Sequence, residues 1–312
     1  MPQIAAYDEV KANRKQREIP TGTAWRTPFL TPAEDVKNDP VAFLVEGTPR
    51  RVIRPHYHEH DQFQVVVSGG GVLGKNRLAA HAVHFSRAYT PYGPIVFDEG
   101  LGFLTLRSQW DRGAQYMPDS RETLTRVPNR KPWQVTELGD FSGSNDVNLH
   151  EFSRIKDERG LAAFSISLKP GATATAPDPS RTAGQYIIGT RGSLRHEGKE
   201  YKALTIAFLK PHEAPMQLVA GPQGLEVLVL NYPRHEPAAG EPVAAKSPQY
   251  PPEFPPEYRI WQCQFCSFTY DEARGMPEEG VAPGTRWEEV PDTWSCPDCA
   301  ASKSDFEMQV VG

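Results

Sequence analysis

The chain has 312 residues and four cysteines, and all four fall in two C-x2-C pairs, Cys263-Gln-Phe-Cys266 and Cys296-Pro-Asp-Cys299. Each pair closes a tight turn, so the four thiolates can converge on one tetrahedral metal ion. None is left over for a disulfide, which agrees with a reducing, cytoplasmic compartment. Spacing alone fits a structural zinc ribbon as well as an iron site.

The surrounding residues go further. Trp261, Tyr270, Trp287, Trp294 and Phe306 stand before, between and after the pairs, Pro283-Gly-Thr285 forms a turn, and Cys296-Pro297 leads into the second pair. From about Tyr258 to Glu307 this segment resembles rubredoxin. The resemblance implies one iron held by Cys263, Cys266, Cys296 and Cys299, carrying one electron and offering no open coordination position. It also implies an electron source such as an NAD(P)H-dependent rubredoxin reductase. Two positions depart from the family pattern: Ser267 and Ala300 stand where glycine usually follows the second and fourth cysteines. Glycine lets the backbone turn closely under a sulfur, so these changes bear on N–H to sulfur bonds and on potential, not on the ligands.

A carrier without substrate chemistry of its own needs a destination, and the remaining residues are numerous enough to form one large or two medium domains. No apolar run approaches a membrane span, and the N-terminus lacks a basic-then-apolar signal pattern, so neither a membrane nor a secretory route is expected. Net charge is −5. From Tyr258 onward four Lys/Arg face ten Asp/Glu, which leaves the tail near −6 and the body near +1. That balance argues against nucleic acid as a partner and suits docking of the tail on a basic patch.

Along the chain, residues 1–40 read as an irregular arm punctuated by Pro20, Gly22, Pro28 and Pro32. Residues 41–111 carry short apolar runs between turn residues, as in an antiparallel barrel. Residues 112–148 are polar and basic (Arg121, Arg126, Arg130, Lys131) and read as a connection, with residues 149–232 repeating the strand layout. A shift of about 123 residues places Gln62 over Gln185, Gly69 over Gly192, and Val83-His-Phe85 over Ile206-Ala-Phe208, which internal duplication explains. Residues 233–257 are proline-rich and read as a semi-rigid tether to the last unit, 258–312.

The first repeat contains Pro55-His56-Tyr-His58-Glu-His60-Asp-Gln62. In a regular strand His56, His58, His60 and Gln62 share a face, and grouped imidazoles suit a first-row metal such as iron. The stretch resembles the first motif of the cupin family: His-x-His, a carboxylate four positions on, then a glycine seven further, here Gly69. Gln62 holds the carboxylate position, and the family's second-motif histidine falls around Tyr89–Tyr92. The resemblance therefore implies a second, non-haem iron on His56 and His58, then Gln62, with His84 or His60 completing the set. His81 is a further candidate, and Tyr89 and Tyr92 are less usual substitutes or groups that hydrogen-bond substrate or oxygen. The second repeat has Pro179 and Arg181 where His56 and His58 stand and reads as metal-free.

The expected fold is thus mainly β: a cupin double-stranded β-helix repeated twice, plus a small C-terminal rubredoxin-like domain. Three functions follow. The first is a non-haem iron monooxygenase of hydroxylase or demethylase type, acting on a small organic substrate and dioxygen with its own tethered electron donor. The second is a reductase of superoxide, peroxide or nitric oxide. The third is a redox-responsive small-molecule-binding module. Cupins often pair through a sheet face, so a homodimer is the default assembly.

Overall fold

The computed structural model describes residues 2–19, 22–32, 39–127, 130–234, 258–263, 268–294, 296–297, 303 and 306–309. The architecture is mainly β, with two large antiparallel sheets curled into barrels and a separate three-stranded sheet at the C-terminus.

In the first barrel the order runs Gln134–Leu138, Ala82–Ser86, Gln62–Leu73, Ile95–Arg107, Val41–Gly47, Gly22–Leu30, Lys15–Ile19. In the second it runs Gln3–Ala6, Thr205–Leu209, Gln185–His196, Gln217–Asn231, Ala162–Leu168, Val147–Lys156. The duplication is visible in backbone detail. Gly69 (φ +69°) and Gly192 (φ +71°) both occupy the left-handed region, and a Cβ on either would lie 2.0 or 2.1 Å from the carbonyl oxygen of Gly100 or Gly224. Only glycine fits such a close backbone approach.

Strand alternation decides where the chemistry sits. Phe63 and Val65, Val83 and Phe85, and Leu104 and Leu106 face a core shared between the barrels, where they meet Tyr186, Ile188, Ile206, Phe208, Leu228 and Leu230. The opposite parity faces each barrel's own interior. In the second barrel that interior is apolar, filled by Ile187, Ala207, Leu209, Val227 and Val229 among others. In the first, apolar packing fills one end, and Gln62, Gln64, Thr105 and Arg107 turn into an open cavity at the other. Two tyrosines lock the barrels together. Tyr232 Oη donates to Leu106 O at 2.5 Å, and Tyr186 Oη lies 3.0 Å from Val41 O and 2.9 Å from Arg107 O.

Residues 3–30 correct the expectation of an irregular arm. Gln3–Ala6 pairs with Thr205–Leu209 in the second barrel, whereas Gly22–Leu30 pairs with Val41–Gly47 in the first. The prolines obscured this: Pro28 sits at a register shift within its strand, so alternation there is broken. Residues 112–148 are likewise not merely a connection, because Gln134–Leu138 pairs with Ala82–Ser86. By the repeat shift, Gln3–Ala6 does for the second barrel what Gln134–Leu138 does for the first. Residues 235–257, most of the expected tether, lie outside the described residues. No helix among the described residues is long and apolar enough to cross a membrane.

Candidate functional site

The C-terminal sheet joins Thr269–Asp271, Ile260–Cys263 and Phe306–Gln309. Cys263 and Cys296 are fully buried among Tyr270, Trp287, Trp294 and Phe306, and Trp261 stacks on Trp287 with ring centroids 5.2 Å apart. Cys266 and Cys299, with Ser267 and Ala300, lie outside the described residues. Beneath the rings sits Glu272, a buried carboxylate. Its Oε1 accepts from Trp287 N, Trp261 Nε1 and Arg259 Nε, and its Oε2 from Arg259 N and Arg286 Nη1, all between 3.0 and 3.1 Å. Burial alone would raise this carboxyl, but the N–H groups of Trp287, Trp261 and Arg259 and the Arg286 guanidinium hold it at about 2.

The first barrel opens into a cavity of about 740 Å³. The wall is apolar and aromatic on one side (Val45, Ile53, Ile95, Phe43, Phe103, Trp110) and carries His56, His58, Gln62 and Tyr92 at the floor. His56 Nδ1 lies 2.8 Å from Arg54 O, and His58 Nδ1 lies 2.8 Å from Asp111 Oδ1. A carbonyl and a carboxylate only accept, so each ring carries its proton on Nδ1 and presents the Nε2 lone pair, the arrangement that orients metal-ligating imidazoles. Burial, with His58 nearby, depresses His56 to about 3, and burial lowers His58 against the pull of Asp111, so both rings are neutral near pH 7.

Tyr92 occupies the floor where the second-motif histidine was expected. Its ring centroid is 4.5 Å from that of His56 and 6.4 Å from that of His58, and its Oη accepts from Gln62 Nε2 at 2.6 Å. His84 lies behind it, 5.1 Å from Tyr92 by ring centroids, with Nδ1 2.9 Å from Thr136 Oγ1 and a buried Nε2 that has no partner.

Three expected participants are elsewhere. The chain leaves the extended conformation between Tyr57 and Gln62, so alternation does not carry His60 to the shared face; it pairs with Gln109 at 2.6 Å and does not line the cavity. Tyr89 takes positive φ (+56°), packs 6.0 Å from Tyr57 and also stays outside. His81 packs against Phe141.

Sequence reasoning passed over Arg107. It follows the apolar run Phe103–Leu106 with the inward parity of Phe103 and Thr105, and a charge continuing a buried strand was the available signal. Arg107 Nη2 lies 2.5 Å from Gln62 Oε1 and 3.2 Å from His58 Nε2, with Nη1 3.8 Å from Asp111 Oδ1. The floor is therefore two imidazoles anchored through Nδ1, an amide and a phenol, with a guanidinium that lies on both Gln62 Oε1 and His58 Nε2. No group of three or more His, Cys, Asp or Glu set to hold a metal occurs among the described residues. The imidazole pair fits a first-row metal, and His58 Nε2 and the Gln62 oxygen are open to it only when Arg107 moves away.

A family model for rubredoxin matches residues 260–306. Rubredoxin 4 of Rhodococcus sp. (strain Q15) is 60% identical over 55 residues, 18% of this chain and 92% of that protein. Rubredoxin-1 of Pseudomonas aeruginosa is 60% identical over 52 residues, 17% and 94% of the two chains. The barrels resemble solved cupin structures. A deletion mutant of Bacillus subtilis oxalate decarboxylase OxdC superposes with TM-score 0.51 at 12% identity, covering 75% of this chain and 78% of that one. Escherichia coli pirin YhhW in complex with nickel(II) superposes with TM-score 0.50 at 13% identity, covering 75% and 100%. At such identities the likeness concerns the fold.

Proposed function

Because residues 260–306 make this chain a member of the rubredoxin family and a cupin double barrel precedes them, we propose that it is a non-haem iron monooxygenase of hydroxylase or demethylase type whose first barrel receives electrons from its own rubredoxin domain. The reaction R–H + O₂ + 2 e⁻ + 2 H⁺ → R–OH + H₂O needs two electrons beyond those of the substrate, and a one-electron carrier delivers them singly. Iron held by the Nε2 atoms of His56 and His58 would supply dioxygen activation. Arg54 O and Asp111 keep both rings in the required tautomer, the aromatic and aliphatic side of the wall beds the substrate, and the buried Tyr92 hydroxyl, held protonated by burial, positions a proton at the floor.

The observation that carries this reading is the pair of anchored, neutral imidazoles at the bottom of a cavity large enough for an organic molecule. Scavenging of superoxide, peroxide or nitric oxide needs no such volume, so a cavity of about 740 Å³ favours an organic substrate. Electron delivery also has a contact to use. Lys75 Nζ lies 3.1 Å from Glu279 Oε1, and Pro297, next to Cys296, lines a small cavity with Thr136, the residue that holds His84 behind Tyr92. The electrons would come to the tail from an NAD(P)H-dependent reductase.

A second reading, a redox-responsive binding module, is favoured by Arg107 on the Gln62 oxygen. Metal analysis of anaerobically purified protein separates the two. Two iron per chain are expected, one lost in His56→Ala/His58→Ala and the other in Cys263→Ser. A single iron that survives the histidine replacements rules out the oxygenase.

A further inference from the structure

We infer that the first barrel's cavity is built for an organic carboxylate with an apolar body, which Arg107 and Arg26 grip across the face of Phe43. This rests on the proposal above only in taking the cavity as the substrate site. Among the described residues the lining carries four guanidinium groups (Arg26, Arg51, Arg107, Arg112) against one carboxylate, Asp111. Asp111 is already committed: Oδ1 accepts from His58 and Gly113 N, and Oδ2 from Glu59 N. Arg112 is paired with Glu59 at 3.3 Å. Among the described residues the other three have no carboxylate within ordinary ion-pair distance except for Asp111 at 3.8 Å from Arg107.

Their placement is specific. Arg26 lies at the mouth with its guanidinium 3.9 Å from the Phe43 ring centroid, and Arg107, buried at 4% exposure, is 5.8 Å from the same centroid. Arg51 stacks over Phe97 at 4.9 Å and gives Nη1 to Glu46 O. The Nε atoms of Arg51 and Arg107 are buried without a partner. Gathering cations in one cavity around a single, already committed anion is costly, and unsatisfied buried N–H groups add to that cost. Arg26 registers it directly: burial and the proximity of Arg107 both lower its pKa. An arriving carboxylate would relieve both terms, because its two oxygens match the guanidinium fork in a charge-assisted bidentate pair. Gln62 is a neutral acceptor, so a carboxylate is the better partner for Arg107. Its arrival would draw the guanidinium off Gln62 Oε1 and His58 Nε2 and free both acceptors toward a metal ion. Beyond the arginines, Ile53, Ile95, Phe103, Trp110 and Tyr116 offer an apolar and aromatic bed for the rest of the molecule.

The test is calorimetric binding to the full-length protein, with and without metal, using benzoate and hexanoate against their neutral isosteres benzamide and hexanamide. At least one acid should bind about tenfold or more tightly than its amide, as expected when charge-assisted bonds replace neutral ones. Arg107→Gln should remove that preference, weakening the acids by more than the amides. Arg26→Gln, at the exposed mouth where folding is not at stake, should reduce it severalfold. Equal binding of acids and amides, no binding of any acid, or an acid preference that survives both substitutions would overturn the inference. Acid preference in a protein that holds only one iron would instead sink the oxygenase and leave this cavity assignment standing.

Discussion

Glu272 gives the most direct handle on how the electron-carrying domain is held together. The carboxylate is fully buried and receives five N–H donors from Arg259, Trp261, Arg286 and Trp287. Glu272→Gln keeps the volume but turns an NH₂ group toward donors. A carboxyl held at about 2 against an ordinary 4.5 represents roughly 3 kcal/mol of stabilisation. Partial exposure of Arg259 and Arg286, about a third each, brings the expected cost to about 2–3 kcal/mol. The sign with pH follows from the depressed value. Stabilisation is whole above the ordinary carboxyl pKa and fades as pH falls toward the folded one, with roughly 1 kcal/mol already lost by about pH 4. Guanidinium melts of the full chain, followed through the iron–thiolate absorption so that only this domain is read, should show E272Q unfolding at lower denaturant. The gap from wild type should narrow between about pH 6 and pH 4. A gap that stays constant with pH, or no gap, would refute the reasoning.

Two further outcomes are expected. Gly69→Ala places a methyl 2.0 Å from Gly100 O at φ +69°, whereas Gly171→Ala has a similar φ of +75° with open space around it. The first should lower the thermal midpoint by the equivalent of at least about 2 kcal/mol and the second by about 1 kcal/mol, so equal shifts in differential scanning calorimetry would disprove the backbone clash. Lys75→Glu, opposing Glu279, should slow re-oxidation of the reduced rubredoxin centre by about two- to fivefold at low salt in stopped-flow measurements. The swap Lys75→Glu with Glu279→Lys should restore the rate.

Much of this molecule was legible in the sequence, and the omissions have physical causes. Thiolate pairs and histidines at alternate positions are local patterns whose chemistry survives without knowledge of the fold, so the cysteine set, His56, His58 and Gln62 could be singled out. His60 was not placed correctly, because periodicity assumes a regular strand and the backbone bends between Tyr57 and Gln62. Tyr92 was only a substitute candidate, since its position depends on how the residues after Ala82–Ser86 return to the floor. Arg107 is an ordinary strand-end arginine until parity turns it inward. The partner of Gln3–Ala6 lies about two hundred residues away, beyond the reach of any window of local hydrophobicity.

That pairing has a consequence for biosynthesis. A segment that leaves the ribosome about two hundred residues ahead of its partner Thr205–Leu209 must wait for those residues to emerge, roughly ten to forty seconds at ordinary elongation rates. During that interval the edge of its eventual neighbour does not exist, and the nascent chain carries an unpaired strand. Closing so long a loop slows maturation, and it also makes completion of the distal barrel the event that fastens the two ends of the double barrel. Deleting the first six residues would therefore expose the barrel farther from the imidazole floor, leaving an open sheet edge prone to self-association.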